Sequence, residues 1–449
     1  MSSAGTAGTA DTASEAMVAP DRAQAASEQP ATGPSALGRR LIPALLRETA
    51  FRRYWSASTI SMCGDQVASV AVPLTAVLAL HAGAAAMGYL TALEWLPSLL
   101  FGMHAGAWAD RRGRRRQLMI ACDLGRFALL AIVPVCYALG VLTLWQLFLV
   151  VFAAGTLSIL FNVADATLFV SLVAPEQYVD GQSLLYGSRA LSFILGPSLG
   201  GLLTQLLTAP FAIVADALSF LGSALFLRRI APTEPPSDDG AGGVTEGLRF
   251  LARTPLIRAS LIGVAVINFF NLMFGALFLL YAVRVLHVNA GLLGVILGFG
   301  AFGGLLGAAL AKAITTRIGA GMAYVAGCFA FTVPLALVLL APTPRGHGTD
   351  PMVLLLLFGA EFLSGFGVML LDISVGSIFA AVIPDTVRSR VTGAFTAINY
   401  GTRPLGALLG GLLGSTAGLR PALWVAVVGG IVGALLLVPS PLPRFRLPD

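Results

Sequence analysis

The feature that most constrains the fold is a series of twelve apolar stretches separated by short polar connections. A helix needs about 20 apolar residues to cross a lipid bilayer, and each stretch is close to that length or longer. Hydrophobic residues make up 57% of the chain and charged residues only 11%, unlike the composition of soluble domains. We therefore predict an all-α membrane protein with twelve transmembrane helices, at residues 54–80, 86–109, 117–139, 143–170, 183–206, 209–229, 256–285, 290–312, 320–341, 352–380, 391–414 and 421–438.

The basic residues predict how these helices are oriented. Three arginines, Arg126, Arg189 and Arg403, lie within the predicted helices. Of the other basic residues, all except Arg284, Arg345 and Arg420 fall on one side of the membrane. Cytoplasmic loops of membrane proteins carry the excess of Lys and Arg. We therefore expect a multi-pass protein of the cytoplasmic membrane, with both termini in the cytoplasm.

A polar stretch in the middle of the chain separates six helices from six. Its Pro, Gly and acidic residues oppose a packed element. The two sets of helices also repeat, since a shift of 206 residues places Gly88 on Gly294 and Cys122 on Cys328. The predicted domains are a largely disordered cytoplasmic tail at 1–52, a six-helix bundle at 53–229, a cytoplasmic linker at 230–255, a second six-helix bundle at 256–438 and a cytoplasmic tail at 439–449.

The residue types exclude several classes of function. The sole lysine, Lys312, stands between two alanines, so the chain has no phosphate-binding loop for an ATP-driven motor. Its histidines and cysteines have no metal-ligand spacing, and its arginines form no soluble basic face for nucleic acid. We expect a protein that is not an enzyme and uses no metal, cofactor, ATP or nucleic acid, and whose partners are a small-molecule substrate, protons and the lipid bilayer.

The turn between the second and third helices carries glycines, one acid and basic residues in a fixed order: Gly106, Asp110, Arg111, Gly113, Arg114 and Arg115. At this turn the sequence resembles the major facilitator superfamily, whose signature has these residue types at these spacings. The resemblance implies two pseudo-symmetric six-helix bundles, transport by alternating access and a monomeric state.

The resemblance also implies that Asp110 belongs to a charge network that holds the cytoplasmic gate against the second half. Asp123 and Arg126, one turn apart at the start of the third helix, are placed to join that network. The alternative is that the arginines only set the topology. In the second half the matching segment Thr315–Gly319 keeps Arg and Gly but has Thr in place of the aspartate, which puts a symmetric second gate in doubt.

Acids inside the apolar stretches are the candidates for proton coupling, because a charge within the membrane is costly and marks a functional site. Asp65 is the first choice, followed by Asp372, Glu94 and Glu361. Alternatively, Arg189 and Arg403 neutralise some of these acids in fixed pairs. Asp165 and Asp216 also lie inside apolar stretches. For these two acids the alternative to a functional role is a position near a helix interface.

Polar residues within the helices predict a cavity that holds an amphipathic substrate on apolar walls. They are Asn162, Asn268, Asn271, Arg189 and Arg403. The Gly64-Asp65 pair and the Gly196-Pro197 segment resemble macrolide-efflux, enterobactin-exporter and drug/proton antiporter proteins, although close helix packing also explains the glycines. The sequence thus predicts a proton-coupled exporter of drugs, macrolides, siderophores or secondary metabolites. The alternatives are an importer of a sugar, organic acid or peptide, and a non-transporting membrane sensor.

Overall fold

The structure is a computed structural model that describes residues 43–112, 114–230, 244–343 and 350–446, with only the backbone of residues 44, 103–112, 244–248, 385, 386 and 389. Leu45–Asp449 forms one compact unit. Within the described residues it contains twelve long helices, α1 to α12: Thr49–Ala79, Ala84–Arg112, Arg115–Ala138, Leu144–Leu172, Tyr178–Leu207, Ala209–Arg228, Pro255–Arg284, Ala290–Ile318, Ala320–Leu340, Pro351–Val382, Asp385–Thr416 and Leu419–Leu435. Short 3₁₀ turns lie at Ala44–Arg47, Pro175–Gln177 and Leu442–Arg444.

The predicted all-α class is confirmed. Ten of the twelve helices are long and apolar enough to cross a membrane, and Leu419–Leu435 is a shorter apolar helix. The remaining helix, α11, begins with polar turns that contain Arg388 and Arg390. The helices alternate in direction, so their ends form two sets. We call the end near the central linker the linker end and the opposite end the far end.

One more helix, Val244–Arg253, lies inside the predicted linker, where the sequence analysis expects no packed element. Val244, Leu248 and Leu251 recur at helical spacing, which explains why this segment folds as an amphipathic helix. Leu251 is buried in a cluster with Val391 and Phe395 of α11. The packed part of the second half therefore begins before residue 256, the predicted start of that bundle.

The backbone repeats with the same shift as the sequence. His81 and His287, 206 positions apart, both have a φ of 52°, which is uncommon for a residue other than glycine. Ala82 N–H donates to Ala76 O at 2.8 Å, and Val288 N–H donates to the equivalent oxygen of Ala282 at 3.0 Å. The first and seventh helices therefore end in the same way, as expected for two pseudo-symmetric halves.

The two halves pack tightly against each other at the far end. One buried cluster there joins Leu74 and Met87 of the first half to Leu277 and Leu293 of the second. The Arg284 guanidinium also donates to Ala82 O at 2.9 Å. The far end is therefore closed by a continuous apolar core.

Glycines bring the helices of the two halves into backbone contact at this closed end. A Cβ on Gly88 of α2 would lie 2.6 Å from Gly411 Cα of α11, and one on Gly201 of α5 would lie 2.8 Å from Gly294 Cα of α8. Such close approach needs residues without side chains. We call these two contacts the far-end seam. Gly201, which follows the Gly196-Pro197 segment on the same helix, therefore has a role in close helix packing.

The linker end is built differently. Among the described residues, the buried cluster around Tyr54 and Met119 contains only the first half, and the clusters around Tyr324 and around Val391 contain only the second. Because the core is continuous at one end and divided at the other, we infer a cleft between the halves that opens toward the linker end. The candidate residues Asp65, Glu94 and Asp372 lie in helices along this cleft and are exposed.

Candidate functional site

The centre of the first half is an ion pair on α3. Arg126 donates a hydrogen bond to Asp123 three residues earlier, and both side chains are buried, at 3% and 0% exposure. The guanidinium lies 4.5 Å from the ring centroid of Phe161 on α4 and 4.0 Å from that of Phe220 on α6. Two aromatic faces thus hold the cation in place, with Ser158 Oγ 3.4 Å away.

Two further acids approach this pair from α1 and α6. Asp65 interacts electrostatically with Arg126, and Asp216 with Asp65. A Cβ on Gly64 would lie only 2.4 Å from an Asp216 carboxylate oxygen, so the glycine before Asp65 is what lets Asp216 approach. Ser219 donates a hydrogen bond to Asp216 at 3.2 Å.

A fourth acid, Asp165 of α4, lies on the linker side of the same group. The buried Tyr54 hydroxyl donates to Asp165 at 2.8 Å, and Asp165 interacts electrostatically with Asp123 and Arg126. We call this set the acid cluster: Asp65, Asp123, Asp165, Asp216 and Arg126. Four carboxyl groups therefore surround one guanidinium.

A second group of charges lies between the halves. The Arg403 guanidinium of α11 lies 4.1 Å from the ring centroid of Trp95 on α2 and 4.2 Å from that of Tyr400. The two rings are 5.6 Å apart in an edge-to-face arrangement. Arg403 also donates to Asn268 Oδ1 of α7 at 3.2 Å. An arginine of the second half is therefore bound between an aromatic ring of the first half and one of its own.

Two acids face this arginine. Glu94 and Asp372 both interact electrostatically with Arg403, and Asp372 also interacts with Arg189 of α5. Glu94 lies ten residues from the far end of α2, or about 15 Å along the helix axis, near the middle of a bilayer. We call these residues the cleft cluster: Glu94, Trp95, Arg189, Asn268, Asp372, Tyr400 and Arg403.

The remaining cavity and coupling candidates lie apart from these contacts. Glu361 of α10 has a carboxylate oxygen 3.3 Å from where a Cβ on Gly300 would lie, which places it between two helices of the second half. Asn162 is exposed on α4, and Asn271 is half-buried one turn after Asn268. The structure thus places Asp65 in one cluster and Glu94 and Asp372 in the other, and Glu361 in neither.

The predicted gate motif falls largely outside the described part of the chain. Gly113 lies outside the described residues. Gly106, Asp110 and Arg111 lie near the end of α2, where the structure describes the backbone but not the side chains. Arg114 is exposed and Arg115 buried. Asp123 and Arg126, expected in this network, pair with each other inside the acid cluster. The tie to Asp110 stays a prediction.

The part that Asp165 and Asp216 take in the acid cluster was not predicted from the sequence. A position near a helix interface was the alternative for both acids. The available signal was Gly64, because a small residue beside a membrane acid allows a neighbouring helix to bring a second polar group close.

Comparison with known proteins agrees with this architecture. A family model described as the Major Facilitator Superfamily matches residues 54–400. The multidrug efflux pump Tap of Mycobacterium tuberculosis is 29% identical over 414 residues, which cover 87% of this chain and 92% of that protein. The uncharacterized MFS-type transporter YfiS of Bacillus subtilis is 31% identical over 227 residues, which are 48% of this chain and 52% of that protein.

Solved structures show the same fold at low sequence identity. A bacterial homologue of the iron transporter ferroportin in an inward-facing state superposes with a TM-score of 0.69 at 17% identity, over 88% of this chain and 99% of that one. The nucleoside transporter NupG superposes with a TM-score of 0.67 at 14% identity, over 87% of this chain and 98% of that one.

Proposed function

Because the chain belongs to the Major Facilitator Superfamily, we propose that it is a proton-coupled exporter of drugs, macrolides, siderophores or secondary metabolites. It is a membrane transporter, and transporters of this build work by exposing a midplane site alternately to each side. In the proposal the linker end faces the cytoplasm, since the basic loops are there. The closed far end and open linker end then correspond to the inward-facing state.

The acid cluster is the observation that carries the proton coupling. Burying an uncompensated charge is expensive, and one guanidinium compensates only one of four carboxylates. The cluster reaches a low net charge by taking up protons on the remaining acids. Asp65 is the exposed member, so it is the acid that exchanges protons with the cleft.

The coupling follows from the same geometry. When the cleft opens to the outside, where the proton activity of an energised cell is higher, Asp65 takes up a proton. When the cleft opens to the cytoplasm, the proton leaves. Because Asp65 and Asp216 interact electrostatically, the charge state of one acid changes the energy of the other. This links proton release to rearrangement of α1 against α6.

Export is supported by the similar proteins and by the cleft. The similar protein Tap is named a multidrug efflux pump. The exposed cleft residues include Asp65, Glu94 and Asp372, which favours a substrate that carries positive charge on an apolar body. Deep acids on apolar walls suit an amphipathic drug better than a sugar.

The test is transport by the purified chain in proteoliposomes, with a panel of lipophilic drugs, macrolides and siderophores. We expect substrate movement that an imposed pH gradient drives and that stops when the gradient is collapsed. Asp65→Asn should abolish the gradient-driven transport. The control is Glu176→Gln, an exposed acid outside both clusters, and it should retain that transport.

Two outcomes would contradict the proposal. Gradient-driven transport that Asp65→Asn leaves unchanged would remove the acid cluster from the coupling mechanism. Substrate and protons moving in the same direction would indicate an importer, the alternative that the exposed cation Arg189 favours by offering a site to an anionic metabolite.

A further inference from the structure

The surroundings of Arg403 have the composition of a binding site for an organic cation. Two aromatic faces, Trp95 and Tyr400, lie 4.1 and 4.2 Å from the guanidinium carbon. Two acids, Glu94 and Asp372, interact with the same charge. Aromatic faces combined with nearby negative charge are the means by which proteins bind quaternary ammonium and related cations.

The Arg403 guanidinium makes few hydrogen bonds at this site. A guanidinium has five N–H donors, and Arg403 donates to Asn268 at 3.2 Å. Its Nε is buried and has no hydrogen-bond partner among the described residues. A buried donor without a partner lowers stability, so hydrogen bonds alone do not fix the guanidinium at this position. The guanidinium is therefore held mainly by the rings and by charge.

We propose that Trp95, Tyr400, Glu94 and Asp372 form a binding site for a cationic, lipophilic substrate, and that Arg403 occupies it in this structure as a tethered competitor. The inference rests on the proposed function, for which it names the substrate class and the site. A cationic substrate enters the cleft from the linker end, displaces the guanidinium from the two rings and takes over its contacts with the acids.

This exchange has a consequence for the two halves. Trp95 belongs to the first half and Tyr400 to the second, so any cation between the rings connects the halves as Arg403 does now. A bound substrate replaces this contact without leaving the acids uncompensated. In its absence Arg403 remains the cation that interacts with both Glu94 and Asp372.

The test is equilibrium binding of benzyltrimethylammonium to the purified full-length chain, measured by isothermal titration calorimetry without a proton gradient. Arg403→Met removes the competitor but keeps an apolar side chain of similar length. We expect its affinity for the cation to rise about tenfold. Adding Trp95→Leu to Arg403→Met should remove that gain, because one face of the site is lost.

A matched variant separates displacement from a change in net charge. Arg189→Met also removes one positive charge that interacts with Asp372, but it leaves the two rings occupied, so we expect less than about a threefold change. Equal gains in Arg189→Met and Arg403→Met would overturn the proposal. So would an Arg403→Met protein that is folded and binds the cation no more tightly than the original chain.

A second variant decides the question where Arg403→Met does not fold. Asn268→Ala leaves the rings and acids intact and removes a hydrogen bond that holds Arg403 in place, so affinity should rise severalfold. Unchanged affinity would refute the competitor role. Because binding needs neither a gradient nor a direction, a failure here leaves proton-coupled export intact, and a failure of coupled transport leaves the cation site intact.

Discussion

The far-end seam gives the sharpest expectation about conformational change. A methyl group on Gly88 would lie 2.6 Å from Gly411 Cα and 2.7 Å from Ala407 O. Carbon atoms in contact are about 3.5–4.0 Å apart. Gly88→Ala therefore requires α2 and α11 to separate by about 1 Å at the far end, where both contacting groups are backbone and cannot rotate away.

The energy of this perturbation is large enough to change populations. Inserting a methyl group into a well-packed contact costs about 1–3 kcal/mol, and each 1.4 kcal/mol corresponds to a tenfold change in an equilibrium constant. The penalty falls only on the state in which the far end is closed. We expect Gly88→Ala to raise the ratio of far-end-open to far-end-closed protein by about 5–150-fold.

Spin-label distances across the far end would measure this ratio. After the four natural cysteines are replaced, labels are placed at the exposed residues Val141 and Ala417, one in each half. The long-distance population should grow in Gly88→Ala. It should stay unchanged in Gly275→Ala, where an added Cβ meets nothing within 4 Å. A folded Gly88→Ala protein with the original distance distribution would refute the reasoning that the seam must separate.

Two further expectations concern stability of the first half. Arg126→Met leaves the buried Asp123 carboxylate without its cation, and breaking a buried ion pair in this way costs about 3–5 kcal/mol. The apparent Tm of the variant in detergent should therefore fall. Adding Asp123→Asn to Arg126→Met should recover most of the lost stability. A double variant no more stable than Arg126→Met would argue against the pair. Tyr54→Phe removes the hydrogen bond to Asp165, so the Tm should fall by an amount consistent with about 1–2 kcal/mol, whereas Tyr89→Phe at an exposed ring should change it little.

Much of the architecture was predictable from sequence because bilayer thickness sets helix length. The apolar stretches are about as long as a membrane is thick, and their boundaries agree with the twelve helices to within several residues. The helix Val244–Arg253 was missed because it is too short to cross a bilayer and so lacks a long apolar stretch. It is short and amphipathic, so Arg249 and Arg253 make its composition polar even though Leu251 is buried.

The candidate site was predictable in part. Sequence shows how far along a helix an acid lies, and on this basis Asp65, Asp372, Glu94 and Glu361 were selected; their role in proton coupling stays a prediction. It does not show which way each helix is turned, and that rotation decides which side chains meet. The grouping of Asp216 with Asp65 and the position of Arg403 between Trp95 and Tyr400 depend on that rotation, so neither could be read from the spacing of residues alone.

The far-end seam also has an electrical consequence. An aqueous cleft has nearly the potential of the solution it opens into, so the membrane voltage falls across the closed part of the protein. That part is the glycine seam and the apolar core around it. A charge that crosses the seam passes through nearly the whole voltage, about 2.3 kcal/mol for each elementary charge at 100 mV. The far-end seam therefore carries most of the membrane voltage, and the membrane potential acts on the conformational step in which the seam opens.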